Sequence, residues 1–181
     1  MIINTSKLRK QYTVEEMSYL DSEKASAIYK TKANMIQKHK LTGIVDVGCR
    51  IGMINKYLDD YNYNYYGFDT SEEPINLAKQ LYPTKTFEIR SWDELTIPNF
   101  NVDVLVFGSV LIYSSDPIQM FNRICNFYSP KFAIVHEVND RNKEELNYTD
   151  LSYFKNRYDC EVIELDLDIP CGKRTIINVK C

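Results

Sequence analysis

Residues 46–52 read Asp-Val-Gly-Cys-Arg-Ile-Gly, and this is the first segment whose residue types and spacing suit ligand chemistry. Asp46 stands in a β-branched run, where a carboxylate can accept hydrogen bonds from a ligand ammonium or from loop amides. Gly48 and Gly52 permit a sharp turn and the close approach of a ligand, because they carry no side chain. The same pattern also fits an ordinary strand-to-helix turn, so alone it does not decide between the two.

Residues 66–71, Tyr-Gly-Phe-Asp-Thr-Ser, form a second segment of this kind. Asp69 ends the next apolar run, 23 residues after Asp46, where nucleoside-binding sheets carry the carboxylate that binds ribose hydroxyls. The alternative is that Asp69 only caps the following helix, in which Pro74 fits the first turn. Together the two segments favour a nucleoside ligand held where two strands end.

Hydrophobic periodicity predicts the sheet that would bring these segments together. Five apolar runs of strand length alternate with segments of helical spacing, which indicates parallel strands joined by helices. The predicted strands cover residues 44–47, 63–68, 86–90, 102–107 and 131–138. The predicted helices cover residues 15–38, a short stretch around Ile54 and Tyr57, a segment capped by Thr70 or Ser71, and one capped by Asp116 with Pro117 in its first turn.

The last 30 or so residues predict a short helix around Leu151 and Phe154, then β-rich runs at 160–167 and 174–179. Only a short Pro-Cys-Gly turn joins these runs, so the two strands must be antiparallel. We therefore predict an α/β fold with a doubly wound, mostly parallel seven-stranded sheet, helices on both faces and a C-terminal antiparallel hairpin. Residues 1–181 form a single domain in this prediction, with residues 1–40 as an N-terminal helical cap.

Composition and charge narrow the class of partner. A chain of 181 residues with 44% hydrophobic content can bury one core. A formal net charge of -3 argues against a long phosphate-binding surface, although it is compatible with a local basic patch. The residues of such a patch would be Lys30, Lys32, Lys38 and Lys40. A small or proteinaceous substrate is favoured over a nucleic acid.

Cysteine usage and hydropathy bear on the compartment. The five cysteines include no CxxC pair, which indicates reduced thiols rather than a disulfide framework or a zinc site, and we expect no metal. The apolar runs are of strand length, and the polar residues 1–10 lack a signal-peptide core. We therefore expect a soluble, cytoplasmic protein that does not associate with membranes.

Between about residues 44 and 138 the chain resembles the class I S-adenosylmethionine-dependent methyltransferases. The resemblance rests on residues 45–52, on Gly-Phe-Asp-Thr-Ser at 67–71, and on residues 102–113 with Asp-Pro at 116–117. It implies S-adenosylmethionine as cofactor and a set of cofactor-binding residues. These are Asp46, Gly48 and Gly52 around the methionine end, Asp69 at the ribose, Ser91 and Trp92 beside adenine, and also Cys49, Thr70 and Phe107.

The chain departs from the pattern of this family at two positions. Arg50 stands where the family usually has the middle glycine of its loop, and Ser91 stands where it often has an acid near the adenine, with Asp93 as a substitute two positions later. A dinucleotide-binding site is the nearest rival interpretation. Its fingerprint would require glycine at Arg50 and at Met53, so S-adenosylmethionine is expected rather than NAD.

The methyl group of a sulfonium is already activated, so such a protein has mainly to position a nucleophile and exclude water. A base is needed when the nucleophile carries a proton, and His136 and Tyr113 are the catalytic candidates, with Glu137 and Asn139 in the same region. The alternatives are a structural role for His136 and a packing role for Tyr113.

Two further features leave alternatives open. Tyr12 and Tyr19 could form a lid over the substrate or simply staple the first helix. Cys49 could be reactive or could fill space beside the first strand, and we favour the second.

The sequence therefore predicts an enzyme that transfers a methyl group to N, O or C of a small molecule. One alternative is a noncatalytic module that binds the cofactor, which Arg50 and the lack of a clear base would allow. Another is a methyltransferase that acts on RNA or protein.

Overall fold

The structure is a computed structural model that describes residues 23–138, 152–165 and 174–181. Four α-helices lie in these ranges: α1 (Glu23–Lys38), α2 (Glu72–Leu81), α3 (Pro117–Tyr128) and α4 (Ser152–Arg157). The seven strands are β1 (Gly43–Val47), β2 (Asn64–Asp69), β3 (Thr86–Ile89), β4 (Val104–Gly108), β5 (Phe132–Val138), β6 (Asp159–Leu165) and β7 (Arg174–Lys180). Two short 3₁₀ helices, Met53–Tyr57 and Leu111–Tyr113, follow β1 and β4.

The strands form one sheet in the order β3-β2-β1-β4-β5-β7-β6. Strands β1 to β5 pair in parallel, while β7 pairs antiparallel with both β5 and β6. This confirms the predicted doubly wound sheet and its antiparallel C-terminal hairpin. The chain leaves β1 toward β2 on one side and returns to β4 on the other, which creates a crevice at the carboxyl end of β1.

Alternate residues of the central strands supply two cores, because successive side chains of a strand point to opposite faces. On one face, Ile44 and Val106 pack with Ile36 of α1 and Ile75 of α2. On the other face the core forms around Phe121 of α3, and it includes Val45, Leu105, Ile124 and Phe154. Helices therefore cover both faces, as a mostly parallel sheet requires.

Local sequence signals explain most element ends. Asp116 caps α3 as predicted, since its Oδ1 accepts a hydrogen bond from the Gln119 amide at 2.9 Å, and Pro117 opens the helix. The prediction of a side-chain cap for α2 is wrong. Ser71 occupies the N-cap position, but no side-chain hydrogen bond caps this helix.

Several predicted features lie outside the described residues. They are the first part of the predicted helix at 15–38, Tyr12, Tyr19, Asn139 and the Pro-Cys-Gly turn. Within the three described ranges, no helix has the length and apolarity needed to cross a membrane.

Candidate functional site

A cavity of about 450 Å³ opens at the carboxyl ends of β1, β2 and β4, in the crevice where the strand order reverses. Of the predicted site residues, six line it: Gly48, Asp69, Thr70, Ser91, Trp92 and Tyr113. Five others do not: Asp46, Cys49, Gly52, Phe107 and His136. The cavity therefore collects residues from four separate loops that the sequence placed at strand ends.

The loop after β1 turns in the left-handed region at Gly48 (φ 66°), Arg50 (φ 51°) and Gly52 (φ 68°). A Cβ built on Gly48 would lie 2.5 Å from a methyl carbon of Val110, and one on Gly52 would lie 2.6 Å from the Phe87 ring. Both glycines are therefore needed for the conformation of the loop and its packing against the protein.

Asp69 joins this loop to the one after β2. Its Oδ2 accepts a hydrogen bond from the Arg50 amide at 3.1 Å, and its Oδ1 accepts one from the Ser71 amide at 2.9 Å. Asp69 lies two residues before the N-cap of α2, so the alternative that it caps this helix is wrong. The carboxylate lies on the cavity wall, and each oxygen keeps a further lone pair that can accept a bond from a ligand hydroxyl.

Asp46 lies beneath the loop and is buried. Burial raises the pKa of its carboxyl to about 6, although the positive charge of Lys32 and a hydrogen bond from the Tyr65 hydroxyl at 2.9 Å act in the opposite direction. Cys49, beside it, is also buried, and burial raises the pKa of its thiol well above the ordinary value. A Cβ on Gly67 would lie 2.8 Å from the Cys49 sulfur, which fits the space-filling role of Cys49.

The loop after β3 forms the wall beside Asp69. Trp92 lines the cavity, and the guanidinium carbon of Arg123 lies 5.8 Å from the centre of its ring. Arg123 also donates a hydrogen bond to the Asp93 carbonyl at 2.9 Å. A hydrogen bond from Ser91 is the main cause that lowers the pKa of Asp93, so these two side chains act together at the place where an adenine-binding acid was expected.

The opposite end of the cavity is formed by the loop after β4. Tyr113 is 39% exposed and lines the cavity there. Ser109 lines it too, and its φ of 55° is a left-handed conformation that is rare for residues other than glycine. Residues held in such conformations cluster at functional sites. Sequence reasoning missed Ser109, although its place directly after a strand was a usable signal.

His136 lies behind Ser109, at the end of β5. Its Nδ1 is 3.4 Å from the Ser109 Oγ, and the residue is 7% exposed. Burial, together with the positive charges of Lys32 and Arg174, lowers the pKa of His136 well below its ordinary value, so the imidazole is neutral. Phe107 likewise lies behind the wall, where its ring packs 5.3 Å from that of Phe121.

Comparisons with known proteins agree with this geometry. A family model described as a methyltransferase domain matches residues 45–134. The N-methyltransferase NodS from Bradyrhizobium japonicum WM9, solved with S-adenosylhomocysteine, has a TM-score of 0.78 at 13% identity, and the match covers 98% of each chain. No curated protein is similar enough in sequence to count as a relative.

Two other solved structures are similar. Magnesium protoporphyrin IX methyltransferase (ChlM) from Synechocystis PCC 6803, with bound S-adenosylmethionine, has a TM-score of 0.71 at 15% identity and covers 95% of this chain and 86% of its own. The plantazolicin methyltransferase BpumL, with S-adenosylhomocysteine, has a TM-score of 0.64 at 15% identity, covering 91% of this chain and 88% of its own.

The fold, the cavity and the family match define the class of this protein. The chain belongs to the class I S-adenosylmethionine-dependent methyltransferases. Its cofactor is S-adenosylmethionine, and it is an enzyme of methyl transfer rather than a dinucleotide-binding protein.

Proposed function

We propose that the 450 Å³ cavity binds S-adenosylmethionine and that the enzyme transfers its methyl group to N, O or C of a small molecule. The observation that carries this proposal is the continuity of the cavity. One wall carries the Asp69 carboxylate and Trp92, and the other carries Ser109 and Tyr113, so a ribose site and an acceptor site share one space.

The residues on the walls fit the parts of the cofactor. Asp69 is already fixed by two backbone amides and offers its remaining lone pairs to the ribose hydroxyls, with Thr70 beside it. Ser91 and Trp92 would hold adenine, the latter through its ring face. Gly48 would lie at the methionine end, while Asp46, Cys49 and Gly52 support the loop from below and Phe107 supports the wall at β4.

S-adenosylmethionine supplies a methyl group that is already activated as a sulfonium, so the chain has to orient an acceptor and exclude water. Tyr113 is the proposed catalytic residue, because its side chain lines the acceptor end of the cavity. His136 is a positioning residue in this proposal, since its neutral ring contacts Ser109, which lines the cavity. Because burial and the charges of Lys32 and Arg174 lower the pKa of this imidazole, it is a weak base, and its proposed role is to orient the Ser109 hydroxyl.

The assignment to a small acceptor is supported by two observations. The net charge of -3 disfavours a long nucleic acid surface. The similar structures include methyltransferases of magnesium protoporphyrin IX and of plantazolicin, both small molecules. We also propose a cytoplasmic location, with which the free thiols of Cys49, Cys125, Cys160 and Cys181 agree.

A size-fractionated cell extract incubated with the enzyme and methyl-labelled S-adenosylmethionine tests the proposal. We expect label in the small-molecule fraction with the parent protein and with Asp60→Asn, which removes one exposed acid far from the cavity. We expect no label with Asp69→Ala. Label confined to the RNA or protein fraction would contradict a small acceptor, and equal labelling by Asp69→Ala would contradict the proposed cofactor site.

A further inference from the structure

Three basic side chains are buried together beside the acceptor end of the cavity. Lys32 of α1 is 2% exposed, and His136 of β5 and Arg174 of β7 are each 7% exposed. We call Lys32, His136 and Arg174 the basic cluster. Burial of a charged group is costly unless an opposite charge or hydrogen bonds compensate it. The charge of Lys32 acts on the buried Asp46 carboxylate, so it is the burial of Arg174 and His136 that requires an explanation.

Strand register brings the cluster together. His136 pairs with Ile176 across the antiparallel β5–β7 ladder, and Arg174 lies two residues before Ile176, so both side chains are on the same face. That face is the one covered by α1, from which Lys32 reaches the sheet. A Cβ built on Gly108 would lie 2.9 Å from the Lys32 Nζ, which places the ammonium at the end of β4.

The described residues leave hydrogen-bonding capacity of this cluster unused. The Nε and Nη1 of Arg174 and the Nε2 of His136 are buried and have no hydrogen-bond partner in the described ranges. Because the Nδ1 of the neutral His136 ring lies toward the Ser109 hydroxyl and can accept from it, the ring proton would then be on Nε2. The cluster thus offers N–H donors and positive charge.

The cluster lies directly behind the cavity wall on the acceptor side, and none of its three side chains lines the cavity itself. Gly108 and Ser109 line the cavity, and they lie next to Lys32 and His136 respectively. Strands β5 and β7 follow β4 on the side of the sheet away from β2 and Asp69. An acceptor placed opposite the ribose site would therefore have its far end near the cluster.

We propose that Arg174 and His136, with Lys32 beside them, bind a carboxylate of the acceptor, so that the substrates of this enzyme are small carboxylic acids. A guanidinium and an imidazole N–H supply the charge-assisted hydrogen bonds that a carboxylate accepts, and Lys32 adds positive charge. This inference rests on the proposed function, because it takes the β4 side of the cavity to be the acceptor side.

The test uses the full chain saturated with S-adenosylhomocysteine, benzoate as a probe and benzamide as its uncharged isostere. The chain has only two histidines, so the ring signals of His136 and His39 can be followed separately by NMR. His39 packs on Phe132 at the other end of β5 and serves as the internal reference. We expect benzoate to shift the His136 signals saturably, with no shift of His39 and none with benzamide.

Three variants give the expected magnitudes. Arg174→Gln should weaken benzoate binding by about tenfold to a hundredfold, the effect of losing hydrogen bonds from a charged group. Arg174→Lys keeps the charge and should be intermediate. The matched control Arg157→Gln removes an exposed arginine of α4 and should bind benzoate like the parent.

The outcomes separate this inference from the proposed function. Calorimetry with S-adenosylhomocysteine measures binding at the cofactor site alone, and failure of the parent to bind it would overturn the proposed function. Titration of the cofactor-free protein with benzoate would still measure binding at the cluster. An absent His136 shift, an equal shift with benzamide, or unchanged benzoate affinity in Arg174→Gln overturns the carboxylate proposal. Loss of S-adenosylhomocysteine affinity in Arg174→Gln without benzoate binding to the parent would assign the cluster to the cofactor carboxylate instead. If Arg174→Gln does not fold, Arg174→Lys and the comparison of benzoate with benzamide decide.

Discussion

Replacing Asp69 by asparagine tests the central assignment of the cofactor site. Both carboxylate oxygens accept backbone hydrogen bonds, from Arg50 and from Ser71, and an amide can replace only one of these acceptors. A hydrogen bond to a charged group contributes about 1.5 to 3 kcal/mol. Since Asp69 is half-buried, we expect the lower end of this range, a loss of about 1.5 to 2 kcal/mol in the free energy of unfolding.

Asp69→Asn should also weaken cofactor binding, independently of its effect on the free energy of unfolding. The ribose hydroxyls would face an amide instead of a carboxylate, and the loop that holds Arg50 would lose its brace. The variant loses one to two charge-assisted hydrogen bonds to the ribose. If each contributes about 1.4 kcal/mol, the energy of a tenfold change in affinity, the affinity becomes about tenfold to a hundredfold weaker. Urea unfolding and calorimetric titration with S-adenosylhomocysteine measure the two effects separately.

Asp60→Asn is the matched control, because it makes the same chemical change at an exposed acid away from the cavity. It should leave both the unfolding free energy and the affinity within error of the parent. A folded Asp69→Asn variant that binds S-adenosylhomocysteine within about threefold of the parent would refute the reasoning. Asp69 would then only brace the two loops.

Three further predictions concern Asp103, Arg50 and His136. Burial raises the pKa of Asp103, but hydrogen bonds from Lys131 and residues 42–43 outweigh it and lower the pKa to about 2. The pKa of an unfolded aspartate is about 3.9, so Asp103 contributes about 1 to 2 kcal/mol of stability above about pH 4, and this is lost as the pH falls through about 2. In urea titrations at a series of pH values, Asp103→Asn should therefore lose less stability in acid than the parent. An equal loss in both proteins would contradict this. Arg50→Gly relieves a left-handed residue by about 1 to 2 kcal/mol but adds about 0.5 to 1 kcal/mol of unfolded-chain entropy, so the free energy of unfolding should rise by about 0 to 1.5 kcal/mol. Affinity for S-adenosylhomocysteine should hardly change, and a large gain would mean that the arginine side chain obstructs the cavity. The pKa of His136 is lowered by burial and nearby positive charges, so its ring should stay neutral in NMR titrations at about pH 6, and the folded state should lose stability as the pH falls below the unfolded value of about 6.5. His136→Gln should remove that loss, and protonation of the ring near pH 6.5 would contradict the assignment.

Local chemistry explains why much of the fold was predictable. The periodicity of apolar residues located every strand, and the Asp116-Pro117 pair located the start of α3 because cap and first-turn preferences are local. The same reasoning failed at α2, where Thr70 and Ser71 have the right side chains but no side-chain hydrogen bond caps the helix. Asp69 accepts a hydrogen bond from the Ser71 amide instead, and its other oxygen accepts one from the Arg50 amide, which belongs to a loop distant in sequence.

The residues of the candidate site that lie at or after the ends of strands could be predicted from the sequence. Asp69, Ser91, Trp92 and Tyr113 reach one cavity because carboxyl ends of parallel strands meet at one edge of the sheet. The sharp turn at Gly48 was predicted and its φ of 66° confirms it, whereas its close contact with Val110 was not predictable, because only the folded chain provides it.

The basic cluster lay beyond sequence reasoning for a different reason. Lys32 was assigned to a local basic patch with Lys30, Lys38 and Lys40, but the structure buries Lys32 while the other three are exposed. Helical spacing alone did not reveal which lysine faces the sheet. The sequence did not indicate that Arg174 lies near His136 either, because only the register of the antiparallel β5–β7 pair brings the two residues together.

The buried charges divide the site into two halves of opposite sign. Asp46 and the half-buried Asp69 lie on β1 and β2, Arg174 lies on β7, and the Lys32 ammonium lies between them at the end of β4. A sulfonium bound between these halves would be attracted by the acids and repelled by the basic cluster, because unit charges interact more strongly inside a protein than in bulk water. A carboxylate bound at the cluster carries one negative charge against the two positive charges of Lys32 and Arg174, so it would reduce the repulsion. Benzoate should therefore strengthen binding of S-adenosylmethionine more than binding of the uncharged S-adenosylhomocysteine, and an equal effect on both would show that the cluster does not act on the sulfonium.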